Sequence, residues 1–117
     1  MDTTIKPAKY DFTMRRGNYG KIGAITVAMR TSAGTPLDFS QCIVTLTVMG
    51  RAQLFRKSTA DGTLKVDPAA GTISWEPTLQ ETRMVPNGAS TTYYVDIAYS
   101  DGSGQRALEG TLISVGT

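Results

Sequence analysis

The sequence predicts an all-β protein, namely an immunoglobulin-like antiparallel β-sandwich of seven to eight strands with one short helical turn near 78–85. Short segments alternate apolar with polar residues, 12 glycines and 5 prolines are spread between them, and no strand alternates with a long helix. A length of 117 residues is typical of one domain. We expect a flexible N-terminal arm at 1–9 and a single sandwich domain at 10–117.

Three alternating segments organise the first half of the chain. The first covers 10–14 and is followed by a turn at 15–20, where Gly17, Asn18 and Gly20 can adopt positive φ. The second strand is predicted at 25–30. The third begins at Cys42, where β-branched residues predict a strand with one apolar and one threonine-rich face. We expect this strand to continue past a bend at Gly50.

Turn residues also divide the second half. Asp61–Gly62 and 101–104 predict hairpin turns rather than calcium loops, because a calcium loop needs a spaced run of carboxylates. After the first turn we predict a short strand over 64–66. The next strand is predicted to point Ile73 and Trp75 inward.

One segment has helical character. Thr78 and Glu81 match the spacing of a capping box, and the Pro-Asn-Gly sequence at 86–88 ends the helix. The strand that follows places two tyrosines, a valine and an isoleucine on one face. In the final strand the alternation changes face near Gly110, which predicts a β-bulge there.

The sequence gives no support for catalysis. It contains no histidine, so the commonest general base and the commonest transition-metal ligand are missing, and the single Cys42 cannot form an internal disulfide. Glu76 and Glu81 could resemble the paired carboxylates of a glycosidase, but Glu76 precedes a proline and Glu81 belongs to the predicted capping box. We therefore predict a non-enzymatic protein with no catalytic residue, no cofactor and no metal site.

Several conspicuous side chains are interpreted as core residues. Trp75 with Tyr93 and Tyr94 could form a sugar-binding platform, but in a sandwich of this size Trp75 is better explained as the central core aromatic. Cys42 is predicted to be a small buried hydrophobe in the middle of a strand.

The net charge of +2 is too small to predict nucleic-acid binding, and no apolar run of about 18 residues predicts a membrane span. Residues 1–57 hold nine Lys/Arg against three Asp/Glu, and 58–117 hold three against seven, so the halves carry +6 and −4. We expect strands of the two halves to interleave and average this asymmetry. A solvated cationic face or a protein–protein contact is predicted for five residues. They are Arg15, Arg16, Tyr19, Arg56 and Lys57.

Four phrases of the sequence are informative when taken together. They are "YDFTMRRGNYGKI" at 10–22, "GTPLDFSQCIVTLTV" at 34–48, a strand–turn–strand phrase at 70–102 and "QRALEGTLISV" at 105–115. Together they resemble the immunoglobulin-like module of tailed-phage and prophage structural proteins. This module is similar to the N-terminal domain of phage baseplate upper proteins and to small stand-alone tail or neck proteins.

The resemblance implies a structural subunit of a bacteriophage virion, in the tail, baseplate or neck. Its partners would be other phage structural proteins and copies of itself, and it would be made in the bacterial host cytoplasm, without a signal peptide. Free sheet edges, the N-terminal arm and the loops 15–20, 31–41 and 86–91 would make the contacts. The alternatives are a module that binds a host-surface carbohydrate or receptor, and a head decoration protein.

Overall fold

A computed structural model of the chain describes residues 8–9, 11–28, 42–67, 71–86 and 88–116. Within these residues the chain forms nine strands and one helix. The elements are β1 (Ala8–Lys9), β2 (Phe12–Arg15), β3 (Ile25–Ala28), β4 (Cys42–Met49), β5 (Gln53–Ser58), β6 (Leu64–Asp67), β7 (Thr72–Trp75), α1 (Leu79–Met84), β8 (Gly88–Tyr99) and β9 (Gly104–Val115).

Two sheets pack into a sandwich. The larger has the order β1-β9-β8-β4-β5, with β2 also paired to β9, and the smaller has the order β3-β7-β6. Neighbours are antiparallel except β1 and β2, which pair parallel with β9. The way successive strands cross between the sheets is that of an immunoglobulin-like fold, so the predicted all-β sandwich is confirmed. In the larger sheet, β9 and β8 from the second half of the chain lie between β1 and β4 from the first half, so the two halves interleave as predicted.

The core lies between the sheets and is centred on three aromatic rings. The ring centroid of Phe12 lies 5.3 Å from that of Trp75 and 4.5 Å from that of Tyr93. These are favourable separations for tilted aromatic pairs. The predicted core position of Trp75 is confirmed, since 3% of it is exposed. Other buried hydrophobic residues complete the core, namely Met14, Val27, Val44, Leu46, Val48, Phe55, Leu64, Ile73, Val85, Val95, Ile97, Ala107, Leu108 and Leu112.

The chain turns sharply after β4, where a continuous strand was predicted. The backbone N–H of Gly50 donates to the carbonyl of Ala52 at 3.0 Å, and β5 returns antiparallel to β4. The prediction of one strand bent at Gly50 is therefore wrong. Asp61–Gly62 is a turn as predicted, but it links β5 of the larger sheet to β6 of the smaller sheet rather than forming a hairpin.

The β-bulge in β9 lies at Ala107, not at Gly110. Tyr93 pairs with Gly110 and Val95 with Leu108, and the shift comes between Val95 and Asp96. The bulge lets both Ala107 and Leu108 point inward, where 5% and 3% of them are exposed. The alternation is unbroken from Leu108 to the end of β9. Leu112 points inward, and Ile113 and Val115, which suggested a change of face near Gly110, lie on the other side of the strand.

Two further predictions change at the ends of strands. Cys42 is the first residue of β4 and is half-buried, so it is neither mid-strand nor fully buried. Ala8 and Lys9, at the end of the predicted arm, form β1, while residues 1–7 lie outside the described part of the chain. Between β1 and β2, the Asp11 carboxylate accepts a hydrogen bond from the Thr111 N–H at 2.8 Å.

The helix begins and ends where the sequence predicts. The hydroxyl of Thr78 accepts from the N–H of Glu81 at 3.1 Å, and the Glu81 carboxylate accepts from the N–H of Thr78 at 2.8 Å. The buried hydroxyl of Thr82 accepts from the N–H of Gly17 at 3.2 Å, so α1 is also held by the loop after β2. No helix in the described ranges has the length and apolar character needed to cross a membrane.

Candidate interaction surface

The outward side of the larger sheet forms a regular surface that runs across several paired strands. Strand alternation sends one set of side chains into the core and the other set to this side. We call it the outer face and define it by the outward residues of β4, β8 and β9. They are Ile43, Thr45, Tyr94, Asp96, Ala98, Arg106 and Glu109.

Arg106 is the cation of the outer face and lies on β9. Its Nε is 3.0 Å from an Asp96 carboxylate oxygen on the neighbouring strand, and its guanidinium lies 4.0 Å from the centroid of the Tyr94 ring. The hydrogen bond to Asp96 raises the pKa of Arg106 above its ordinary value. The side chains of Arg106 and Asp96 are 43% and 44% exposed, so both charges can also reach a partner.

Two shallow depressions flank Arg106. One, of about 530 Å³, is lined by Ile43, Ala98 and Gly104 among others, and the other, of about 580 Å³, includes Tyr94 and Glu109. Ile43 is 48% exposed, an unusual state for isoleucine in a sheet. The face therefore combines exposed apolar surface with charges of both signs.

The five predicted surface residues do not gather in one patch. Arg15 points outward from β2 and Arg56 from β5, which lie at opposite edges of the larger sheet, roughly 19 Å apart at four strand spacings. Tyr19 is 52% exposed on the loop after β2.

The other two predicted residues make internal contacts. The guanidinium of Arg16 donates to the carbonyls of Arg83 and Val85, both at 3.3 Å. Lys57 is only 4% exposed, and its Nζ lies 2.6 Å from a Glu81 carboxylate oxygen. Because β5 points Lys57 inward while Arg56 points out, Lys57 contributes no accessible cation beside Arg56.

The predicted contact loops are only partly described. The loop 15–20 includes a turn at Arg16–Gly17 and contains Gly17 and Gly20 at positive φ of 87° and 64°, as predicted, whereas Asn18 does not adopt positive φ. The loop 31–41 lies outside the described residues. Of 86–91, the part from Gly88 onward belongs to β8 and is strand rather than loop.

The sequence contained a signal for part of the outer face. The alternation that predicted Tyr93 in the core also places Tyr94 and Asp96 on the opposite side of β8. Their contact with Arg106 depends on the bulge at Ala107, which sets the register and has no local sequence signal.

The three aromatic residues that could have formed a sugar-binding platform do not form one. Trp75 and Tyr93 are 3% and 1% exposed, and Tyr94 is half-covered beside Arg106. Within the described ranges, no three Cys, Asp or Glu side chains come together in a way that could hold a metal ion.

Comparisons with known proteins return little. No protein-family model matches the chain, and no curated protein matches it. Among solved structures, the chain is similar to Drosophila OTK, extracellular domains 3-5, with a TM-score of 0.42 and 11% identity over 98% of this chain. The match covers 35% of that structure, about a third of its length. The strand order and pairing of the chain itself establish its fold class.

Proposed function

We propose that the protein is a non-enzymatic structural subunit of a bacteriophage virion that acts in a tail, baseplate or neck assembly. It would bind other phage structural proteins and copies of itself, and would be assembled after synthesis in the host cytoplasm. The support from sequence is the resemblance of four phrases to phage immunoglobulin-like modules. Three of these phrases contain β2, the β7–α1–β8 segment and β9.

The observation that carries the proposal is the charge pattern of the outer face. Arg106 lies on β9 opposite Asp96 of β8, and Glu109 lies further along β9, so the outer face presents both signs on neighbouring strands. A two-fold contact between two copies can therefore set Arg106 of one copy opposite a carboxylate of the other. Exposed Ile43, beside the small residues Ala98 and Gly104, would supply the apolar part of that contact.

Self-association is tested by mass photometry and light scattering over a range of protein concentrations. We expect the wild type to form a defined oligomer and Ile43→Arg to shift it toward monomer, because a cation would be buried without a partner. Ile22→Arg is the matched control, since Ile22 is 85% exposed on the loop before β3. If both variants have the same oligomeric state, or if the wild type stays monomeric at every concentration, the outer face does not mediate self-association.

The virion role needs a second experiment. Co-expression with the products of the neighbouring genes should yield a complex of fixed stoichiometry that contains tail, baseplate or neck proteins. Capture of a capsid protein instead would favour head decoration. A protein that joins none of these products would contradict a virion role.

A further inference from the structure

A separate cleft of about 530 Å³ lies at one end of the smaller sheet. We call it the end cleft. Its size is in the range of small-molecule sites. The side chains on which the argument depends are Lys21, Thr26, Lys57, Lys65, Ser74 and Glu76.

Strand register explains one wall of the end cleft. Ser74 in the central strand β7 pairs with Thr26 of β3 on one side and Lys65 of β6 on the other. These three side chains point away from the core, because their neighbours Ile73 and Trp75 point into it. A cation and two hydroxyls are thus held in one row on rigid strands.

Lys57 lines the inner side of the end cleft, and an ion pair holds its ammonium group in place. Lys57 crosses from the larger sheet with 4% of it exposed, and its ammonium is held 2.6 Å from the carboxylate of Glu81. A buried lysine that reaches a cleft is a costly arrangement unless it is paired, and this pair fixes its position.

The exposed groups of the end cleft are not paired with one another. Lys21 and Lys65 form no ion pair with any described residue, and the hydroxyls of Thr26 and Ser74 form no hydrogen bond with one. Among the described residues that line the cleft, Glu76 is the one carboxylate. Lys57 and Glu81 neutralise each other at the inner side, so the two unpaired ammonium groups of Lys21 and Lys65 face the cleft against the single carboxylate of Glu76. The cleft therefore has an excess of positive charge with free donors.

We propose that the end cleft binds a small hydroxylated ligand that carries an oxyanion, either a phosphate or a carboxylate. Lys21 and Lys65 would bind the oxyanion, and the hydroxyls of Thr26 and Ser74 would bind ligand hydroxyls. Glu76 would limit the affinity by repelling the anion. The site is distinct from the outer face, so it does not depend on the virion proposal.

Ligand titrations followed by amide chemical shifts test the proposal. Glycerol 3-phosphate and galacturonate probe the two oxyanions, and glycerol and galactose are their neutral counterparts. We expect at least one anionic probe to shift resonances of β6 and β7 and to bind about tenfold more tightly than its neutral counterpart. Shifts outside the end cleft, equal affinity for the neutral compound, or no binding by either anion would overturn the proposal.

Paired variants separate the site from the general charge of the protein. Lys21→Gln/Lys65→Gln should weaken binding of the anionic probe about tenfold, and Glu76→Gln should strengthen it severalfold. Arg15→Gln/Arg51→Gln removes the same charge outside the lining of the cleft and should leave binding unchanged. If the control weakens binding as much as the lysine variant, the anion is attracted by net charge alone. Lys57 is kept, since its loss would destabilise the fold.

Discussion

The two ion pairs of the described residues contrast in burial. Lys57 and Glu81 lie 2.6 Å apart with side chains 5% and 15% exposed, whereas Arg106 and Asp96 lie 3.0 Å apart with side chains 43% and 44% exposed. The first pair joins strand β5 to helix α1. The second joins neighbouring strands on the outer face.

Burial gives the two pairs different roles. A buried pair is costly to break, because removal of one partner leaves a charge with neither water nor a counter-ion. An exposed pair contributes little to folding, since water solvates either charge alone. Lys57–Glu81 therefore fixes the position of α1, while the charges of Arg106 and Asp96 stay accessible from outside the protein.

Lys57→Met should have the largest effect on stability. It leaves the Glu81 carboxylate, 15% exposed, without its ammonium partner. We expect a loss of about 3 kcal/mol in the free energy of unfolding, measured by urea denaturation.

Lys57→Met/Glu81→Gln is the control for this prediction. Glutamine can still accept the hydrogen bond that Glu81 receives from the N–H of Thr78 at 2.8 Å, so the capping box is kept while both charges are removed. This variant should recover more than half of the lost stability. If it is as unstable as Lys57→Met, the contribution of Lys57 is packing of its methylene chain rather than ion pairing.

Local features of the fold could be predicted from the sequence. Alternation correctly assigned the inward faces of β4, β7 and β8, and the spacing of Thr78 and Glu81 predicted both ends of the capping box. These features depend on residues within a few positions of one another, where propensity and periodicity act directly.

Features that depend on pairing between distant segments could not be predicted. The adjacent basic residues Arg56 and Lys57 were predicted to share one cationic surface. Instead Lys57 points inward from β5 and pairs with Glu81, 24 positions further along the chain. The register that brings Arg106 to Asp96 depends on the bulge at Ala107. Neither contact has a signal in the residues next to it.

The exposed pair should show a much smaller coupling. A double-mutant cycle with Arg106→Gln and Asp96→Asn isolates their interaction, although Arg106 also lies 4.0 Å from the Tyr94 ring centroid. We expect a coupling of about 0.5 kcal/mol that falls at high salt. A coupling as large as the effect of Lys57→Met would contradict the contrast between the pairs.

The smallest effect is expected at Asp61 and Asp101, two aspartates that form no ion pair with a described residue and are stabilised mainly by hydrogen bonds. The hydroxyl of Thr63 donates to Asp61 at 2.6 Å and that of Ser103 donates to Asp101 at 2.5 Å, with a backbone N–H also bound to each carboxylate. These hydrogen bonds, from the side chain first and the backbone second, hold the pKa of each aspartate below its ordinary 3.8.

The sign of the resulting pH dependence follows from the lowered pKa values. Because both aspartates bind protons more weakly in the folded chain, their contribution to stability is complete above 3.8 and is lost as pH falls through the folded values. Urea midpoints measured from about pH 5 to about pH 2 should fall less steeply for Asp61→Asn/Asp101→Asn than for wild type. Nuclear magnetic resonance titration of the two carboxyl groups gives the direct test. If both carboxyl groups titrate at or above 3.8, the hydrogen bonds of these turns do not stabilise the two charges. The relation between burial and stabilisation seen in the two ion pairs would then not apply to carboxylates held mainly by hydrogen bonds.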